Sequence, residues 1–237
     1  GAPVAVSSFG SGGVRLRLFR DGIEFLPLEG SVTDLARIGV AGLSSIRVIR
    51  SVGDFRIELE SVLAAGGRPY SLIEAGTGDL NSNLFRGTFI HPRALGGIVA
   101  LTMERVDTRG PRGEEPGVAQ GAWIRFARPL PAKGALLVDY GSRNSDRGEL
   151  YGPGKVSRAD WSVRTRWPIS SKLVGDLHYS SSSISTEEPD TFAFGTEARS
   201  QLGGHLTFDS EWIQASAQAR KLSGEGLPGS TARLEAQ

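Results

Sequence analysis

The 237-residue sequence has no cysteine, one methionine and three histidines. Without cysteine there is no disulfide framework, no thiolate zinc site and no cysteine nucleophile. No apolar run approaches the ~18 residues of a membrane-spanning helix. Charge of one sign is not in excess either. The 27 Lys and Arg stand against 26 Asp and Glu, a formal net charge of +1. That balance gives no support for nucleic-acid binding or for a polybasic membrane surface. The opening Gly1-Ala2-Pro3 carries no Met, basic segment or apolar segment. It reads as a processed end or a fragment.

Glycine, by contrast, is abundant: 32 residues, where an average domain of this size holds roughly 17. Apolar residues with glycine make up about half the chain, enough for a folded protein and too many for a disordered one. The length allows one large domain or two small ones.

Residues 1–13 are small and Gly/Ser-rich and read as a linker. Val14-Arg15-Leu16-Arg17-Leu18 alternates, Asp21-Gly22 is a hairpin turn signal, and Ile23-Glu24-Phe25 resumes the alternation. Ser31 or Thr33 is positioned to cap a helix over 33–41, with Asp34 at its positive end and Gly42 closing it. Strands at 46–50 and 55–59 follow. The expected unit is a small α/β domain over 1–65.

From about residue 70 the pattern is period-2 throughout. Trp161, Val163, Thr165 and Trp167 share one face, with Asp160, Ser162, Arg164 and Arg166 on the other. Leu173, Gly175, Leu177 and Tyr179 oppose Asp176, His178 and Ser180 in the same way. Strands are expected at 70–78, 83–91, 97–108, 120–128, 135–143, 159–168, 172–181, 197–207 and 211–221, and a tenth begins near Ser230. Their connections alternate in length. Short ones fall at 92–96, 129–134, 168–171 and 208–210; long polar ones fall at 109–119, 145–158, 183–196 and 222–230.

A soluble sandwich shows the same alternation along its strands, but gives no reason for long loops at every second connection. A transmembrane β-barrel does, with tight turns on one side and long loops on the other. Trp167 and Trp212 flank short turns, while Tyr140, Trp161 and Tyr179 lie toward the opposite ends. Those are girdle positions at a membrane interface. The expected fold is therefore all-β dominated. An antiparallel transmembrane β-barrel, partial at about nine or ten strands, fills 66–237 after the small α/β unit.

The polar face offers Glu104, Arg125, Asp139, Arg164, Arg166, Asp176 and His178 as lumen-facing residues. Their mixed signs favour salt bridges within the lumen over strong ion selectivity. His91 reads as an exposed turn residue beside Pro92. An antiparallel register with paired numbers adding to about 379 places His178 opposite Gln201 and His205 opposite Val174, with Asp176 diagonal to His205. The two histidines read as a solvated pair, since a metal site wants a third ligand and a second shell. No Gly-x-Ser-x-Gly elbow occurs, neither glycine cluster has a phosphate-binding spacing, and Glu114-Glu115 and Glu187-Glu188 read as loop charge. Neither catalysis nor a cofactor is expected.

Together these segments resemble the TonB-dependent outer-membrane receptors. The resemblance rests on Val14 to Arg20, Asp21-Gly22, and Asp34-Leu35-Ala36-Arg37-Ile38 leading to Leu43-Ser44-Ser45-Ile46-Arg47-Val48-Ile49-Arg50. Gly53-Asp54-Phe55-Arg56-Ile57-Glu58-Leu59 is similar to the last plug strand, and 70–78 with 83–87 is similar to the first barrel hairpin. The resemblance implies a plug-domain remnant at 1–65 and the N-terminal portion of a barrel of about twenty-two strands at 66–237. It implies a Gram-negative-type outer membrane, uptake of a small-molecule ligand and a periplasmic energy-transducing partner. A segment that contacts this partner is not visible before Val14, and Arg50-Ser51-Val52-Gly53-Asp54 replaces the family's usual signature. Those departures fit a truncated sequence or a passive porin-like relative; a soluble all-β binding or adhesion module is the alternative of another class.

Overall fold

The computed structural model describes residues 15–26, 28, 35, 38–51, 54–62, 67–109, 117–146, 155–186, 197–224, 227 and 229–236. Two sheets account for nearly all of them. The smaller contains β1 (Arg15–Arg20), β2 (Ile23–Phe25), β3 (Leu43–Ser51) and β4 (Asp54–Ser61), in the order β2-β1-β4-β3. It is mixed: β1 runs antiparallel to β2 but parallel to β4, with Leu18 beside Ile57. Asp21 and Gly22 both take positive φ, 51° and 84°, the geometry that lets a two-residue turn follow strand twist. Leu18, Phe25, Ile38 and Leu59 pack together beneath this sheet. Of the helix expected over 33–41, residues 33, 34, 36 and 37 lie outside the described residues, and 38–41 form a bend and turn instead of a helix. Gly42 does lie where that segment ends, at φ 68°.

The larger sheet is an antiparallel meander of ten strands, each paired with the next in sequence. They are β5 (Tyr70–Gly78), β6 (Ser82–Ala94), β7 (Gly97–Thr108), β8 (Gly117–Pro129), β9 (Ala135–Asp146), β10 (Lys155–Pro168), β11 (Leu173–Thr186), β12 (Glu197–Asp209), β13 (Gln214–Ser223) and β14 (Ser230–Ala236). β5 and β14 are its edges and do not pair with each other, so the sheet is open.

Connections at one end are short: 95–96, 130–134, 169–172 and 210–213. Leu95 and Gly96 again form a two-residue turn with positive φ, 55° and 74°. At the other end 109–116, 147–154, 187–196 and 224–229 are longer, whereas β5 and β6 are joined by a single 3-10 turn at Asp79–Asn81. Residues 110–116, 147–154 and 187–196 of the expected long loops lie outside the described residues.

Three details differ from expectation. β10 and β11 are 14 residues each and reach further toward the long-loop end than the pattern indicated. Their outer sections are serine-rich, and Ser181–Ser185 pair with Ser157–Trp161. Hydrogen-bonded pairing continues there after the apolar alternation that marks a strand in sequence has stopped. Between β11 and β12 the pairing is offset by two from the expected register: His178 faces Gly203 and Asp176 faces His205. A two-residue offset preserves which face each side chain occupies, so the pattern alone cannot distinguish the two. His91 belongs to β6 rather than to a turn and lies near the Phe89 ring.

Candidate functional site: the polar interface between the two sheets

Burial on the ten-stranded sheet is the reverse of that in a soluble sandwich. Its apolar face is open: Ile73, Met103, Ile124, Leu177, Leu202 and Leu206 are all exposed. Its other face buries Glu104, Arg125, Asp139, Arg158, Asp176, His178, Arg199, Gln201 and Arg220. Buried charges persist only when paired and hydrogen-bonded, and here the small sheet supplies many of the partners.

The β1–β2 turn is the focus. The Asp21 carboxylate accepts hydrogen bonds from the Ser61 backbone N–H and hydroxyl at 2.9 and 2.8 Å, and from Arg125. Arg125 also holds Asp139 on the neighbouring strand in a two-point pair at 2.6 and 3.0 Å. Arg164 donates to the Asp21 carbonyl and to the Asp176 carboxylate at 2.8 Å. Three residues on, Glu24 is bound by Arg17 at 2.9 Å and by Arg220, while Gln201 donates to the Glu24 carbonyl. One short hairpin therefore engages β8, β10, β12 and β13.

A second contact uses β7. Glu104 accepts the backbone N–H groups of Val40 and Ala41 at 3.0 and 2.9 Å, and Arg143 on β9 binds the same carboxylate. An aromatic contact lies between them. Trp123 on β8 points inward, with the Arg20 guanidinium 3.9 Å from its ring, Phe25 at 6.1 Å and its indole N–H on Asp139 at 3.3 Å. It fits because the residue facing it on β9 is Gly141, where any side chain would overlap the indole.

This setting perturbs the small sheet's ionisable groups. Burial pushes the Asp21 carboxyl up, but Arg125 and the Ser61 hydrogen bonds outweigh it and hold the carboxyl below its ordinary value. Burial likewise opposes ionisation of Glu24, and Arg17 and Arg220 reverse the balance. For Arg20, burial and the nearby Arg125 bring the guanidinium down to about 10.

Of the residues singled out from sequence, Glu104, Arg125, Asp139, Arg164, Asp176 and His178 face the small sheet or its surroundings. Arg166 lies on the same face but is exposed near the short-turn end. Tyr140, Trp161 and Tyr179 are clustered on the open face: Trp161 pairs across with Tyr140, and its ring centroid is 5.0 Å from that of Tyr179. Trp167 and Trp212 are exposed at the short-turn end.

The sequence reading did not single out Asp21, Glu24, Trp123, Arg143, Gln201 or Arg220. Asp21 was legible only as a turn former. Trp123 carried a signal, since a large aromatic on an otherwise polar face calls for an apolar partner. Nothing comparable marked Gln201 or Arg220.

No family model matches the sequence, and no curated protein matches it. Among solved structures, the chain is similar to BamA from Haemophilus ducreyi lacking POTRA domains 1-3, at 8% identity and a TM-score of 0.37. The match covers 94% of this chain and 51% of that one, so the chain spans about half the length of that structure.

Proposed function

We propose that this chain is part of an outer-membrane β-barrel that takes up a small-molecule ligand, with β5–β14 as wall and β1–β4 as plug. The observation that carries the reading is the reversed burial, with an apolar face left open and a charged face covered. In water, leaving so many large apolar side chains exposed on one continuous face is unfavourable. In lipid it is what the surroundings demand, and the polar groups belong in the lumen. The Tyr140-Trp161-Tyr179 cluster and the Trp167 and Trp212 pair suit the two headgroup levels. Six residues separate Trp161 from Trp167, about 20 Å along a strand. An open edge is not tolerated in hydrocarbon, so the reading requires further strands to pair β5 and β14.

Coupling to a periplasmic energy-transducing protein of the TonB kind is proposed on the sequence resemblance. The ion pairs tying Asp21 and Glu24 to the wall, and the Ala41 backbone N–H donated to Glu104, favour a plugged transporter over an open porin-like channel. No chemistry on the ligand is proposed. The test is the medium in which the chain folds. It should stay unfolded or aggregate in buffer, and fold on addition of detergent or phosphatidylcholine vesicles, giving a band on an unheated gel that shifts on boiling. A folded, soluble monomer in detergent-free buffer would refute the membrane reading and favour the soluble binding module.

A further inference from the structure

Beside the bonded hairpin, with Gly22 and Ile23 in its wall, a cavity of about 200 Å³ lies between the small sheet and the inner faces of β10–β14. Among the described residues its walls include Arg56, Arg164 and Arg233, the histidines His178 and His205, and one carboxylate, Asp176. That carboxylate is already engaged by Arg164.

Two of its lining residues also carry buried nitrogens without a hydrogen-bond partner: Arg56 Nε and His178 Nε2. Arg56 directs its terminal nitrogen to Glu58 at 2.7 Å and lays its guanidinium over the Phe19 ring, which leaves Nε over. His178 is 4% exposed. Its ring lies above Gly203, the residue facing it on β12, where a side chain would displace it. A buried donor without an acceptor is destabilising, and buried polar groups in folded proteins are otherwise nearly all satisfied.

We propose that this cavity binds a small oxyanion, a carboxylate or a phosphate. Arg56 Nε–H and His178 Nε2–H donate to it, the two lining nitrogens that lack a partner. A planar guanidinium suits either anion, and the volume leaves room for accompanying waters. The inference rests on the cavity alone and not on the membrane reading.

The experiment is a titration of the full chain, in whichever medium holds it folded, with inorganic phosphate in one arm and acetate in the other, against chloride at matched ionic strength. Binding is followed by calorimetry and by the His178 Cε1–H resonance, assigned with His178→Gln. Saturable binding of either anion that moves this resonance is expected, and the tighter arm identifies the ligand chemistry. Arg56→Lys, which keeps the charge but lacks the Nε–H, and His178→Gln should each weaken it about tenfold. Arg166→Gln, outside the cavity, should leave it unchanged. Protease resistance of residues 15–61 reports that each variant still holds its small sheet in place. Absence of saturable binding, or binding that ignores Arg56 and His178 in variants that keep this resistance, would overturn the proposal.

Discussion

Asp21 and Arg125 are 104 positions apart in sequence, yet they form a direct ion pair across the space between the two sheets. Arg125 simultaneously holds Asp139, so one guanidinium serves a carboxylate of the large sheet and one of the small. It is nearly fully buried, and its removal strands two carboxylates at once. Arg125→Met is expected to cost about 3–5 kcal/mol and to release the small sheet. Urea unfolding with protease digestion of residues 15–61 measures it. Asp21→Asn combined with Arg125→Met should cost less than the two single changes added together, because they share the interaction.

Acid should undo the same attachment. Asp21 and Glu24 titrate lower in the folded protein than their ordinary values of 3.8 and 4.5. Their contribution is therefore complete above those values and lost as pH falls through the folded ones. Protection of residues 15–61 from an acid-tolerant protease should be constant from neutral pH to about 5 and fall away below about 4. Protection that weakens between pH 8 and 6 would contradict this.

The open face supplies a substitution whose cost depends on the medium. Leu177 is 55% exposed on β11, between Tyr179 and Gly175, the residue that faces Trp167. Leu177→Arg at the centre of a bilayer should cost about 2–4 kcal/mol, whereas an exposed site in water usually changes stability by about 0.5 kcal/mol or less. Folding yield into vesicles of the variant against the parent distinguishes the two.

Gly141 leaves the space that Trp123 fills. Gly141→Ala places a methyl group within the indole, and overpacking of this kind costs about 1–3 kcal/mol. The indole should shift off Arg20 and Phe25, seen as a change in Trp123 fluorescence in a background with the other tryptophans replaced. An unchanged spectrum at unchanged stability would contradict the close approach of Gly141 to the indole.

Much of the architecture was legible because period-2 alternation, turn chemistry and connection length all indicate the same strands. Asp21-Gly22, Trp161 to Trp167 and Leu173 to Tyr179 are examples. Legibility failed where the apolar signal ended before the pairing did, as in Ser181 to Thr186. It failed also for the β11–β12 register, which is set at the long-connection end rather than by a tight turn. Within the interface, the large sheet's charges were identifiable as a face, since Arg125, Asp139, Arg164 and Asp176 alternate with apolar residues. Their partners were not. Asp21, Glu24 and Ala41 lie far away in the chain, and no local pattern links a turn carboxylate to a guanidinium on a strand 104 residues later.

The meander imposes an order on assembly. Every pairing in the large sheet joins neighbours in sequence, so hairpins can zip up one after another with short loops to close. The bonds that seat the small sheet are the reverse: Arg164 reaches Asp21 across 143 positions, Gln201 reaches Glu24 across 177, and Arg220 reaches it across 196. The hairpin at residues 20–24 gains its last anchor only when β13 is in place. Arg17 already holds Glu24 and Ser61 already holds Asp21 within the small sheet, so the hairpin is organised locally and its seating on the large sheet is completed only with the last strands.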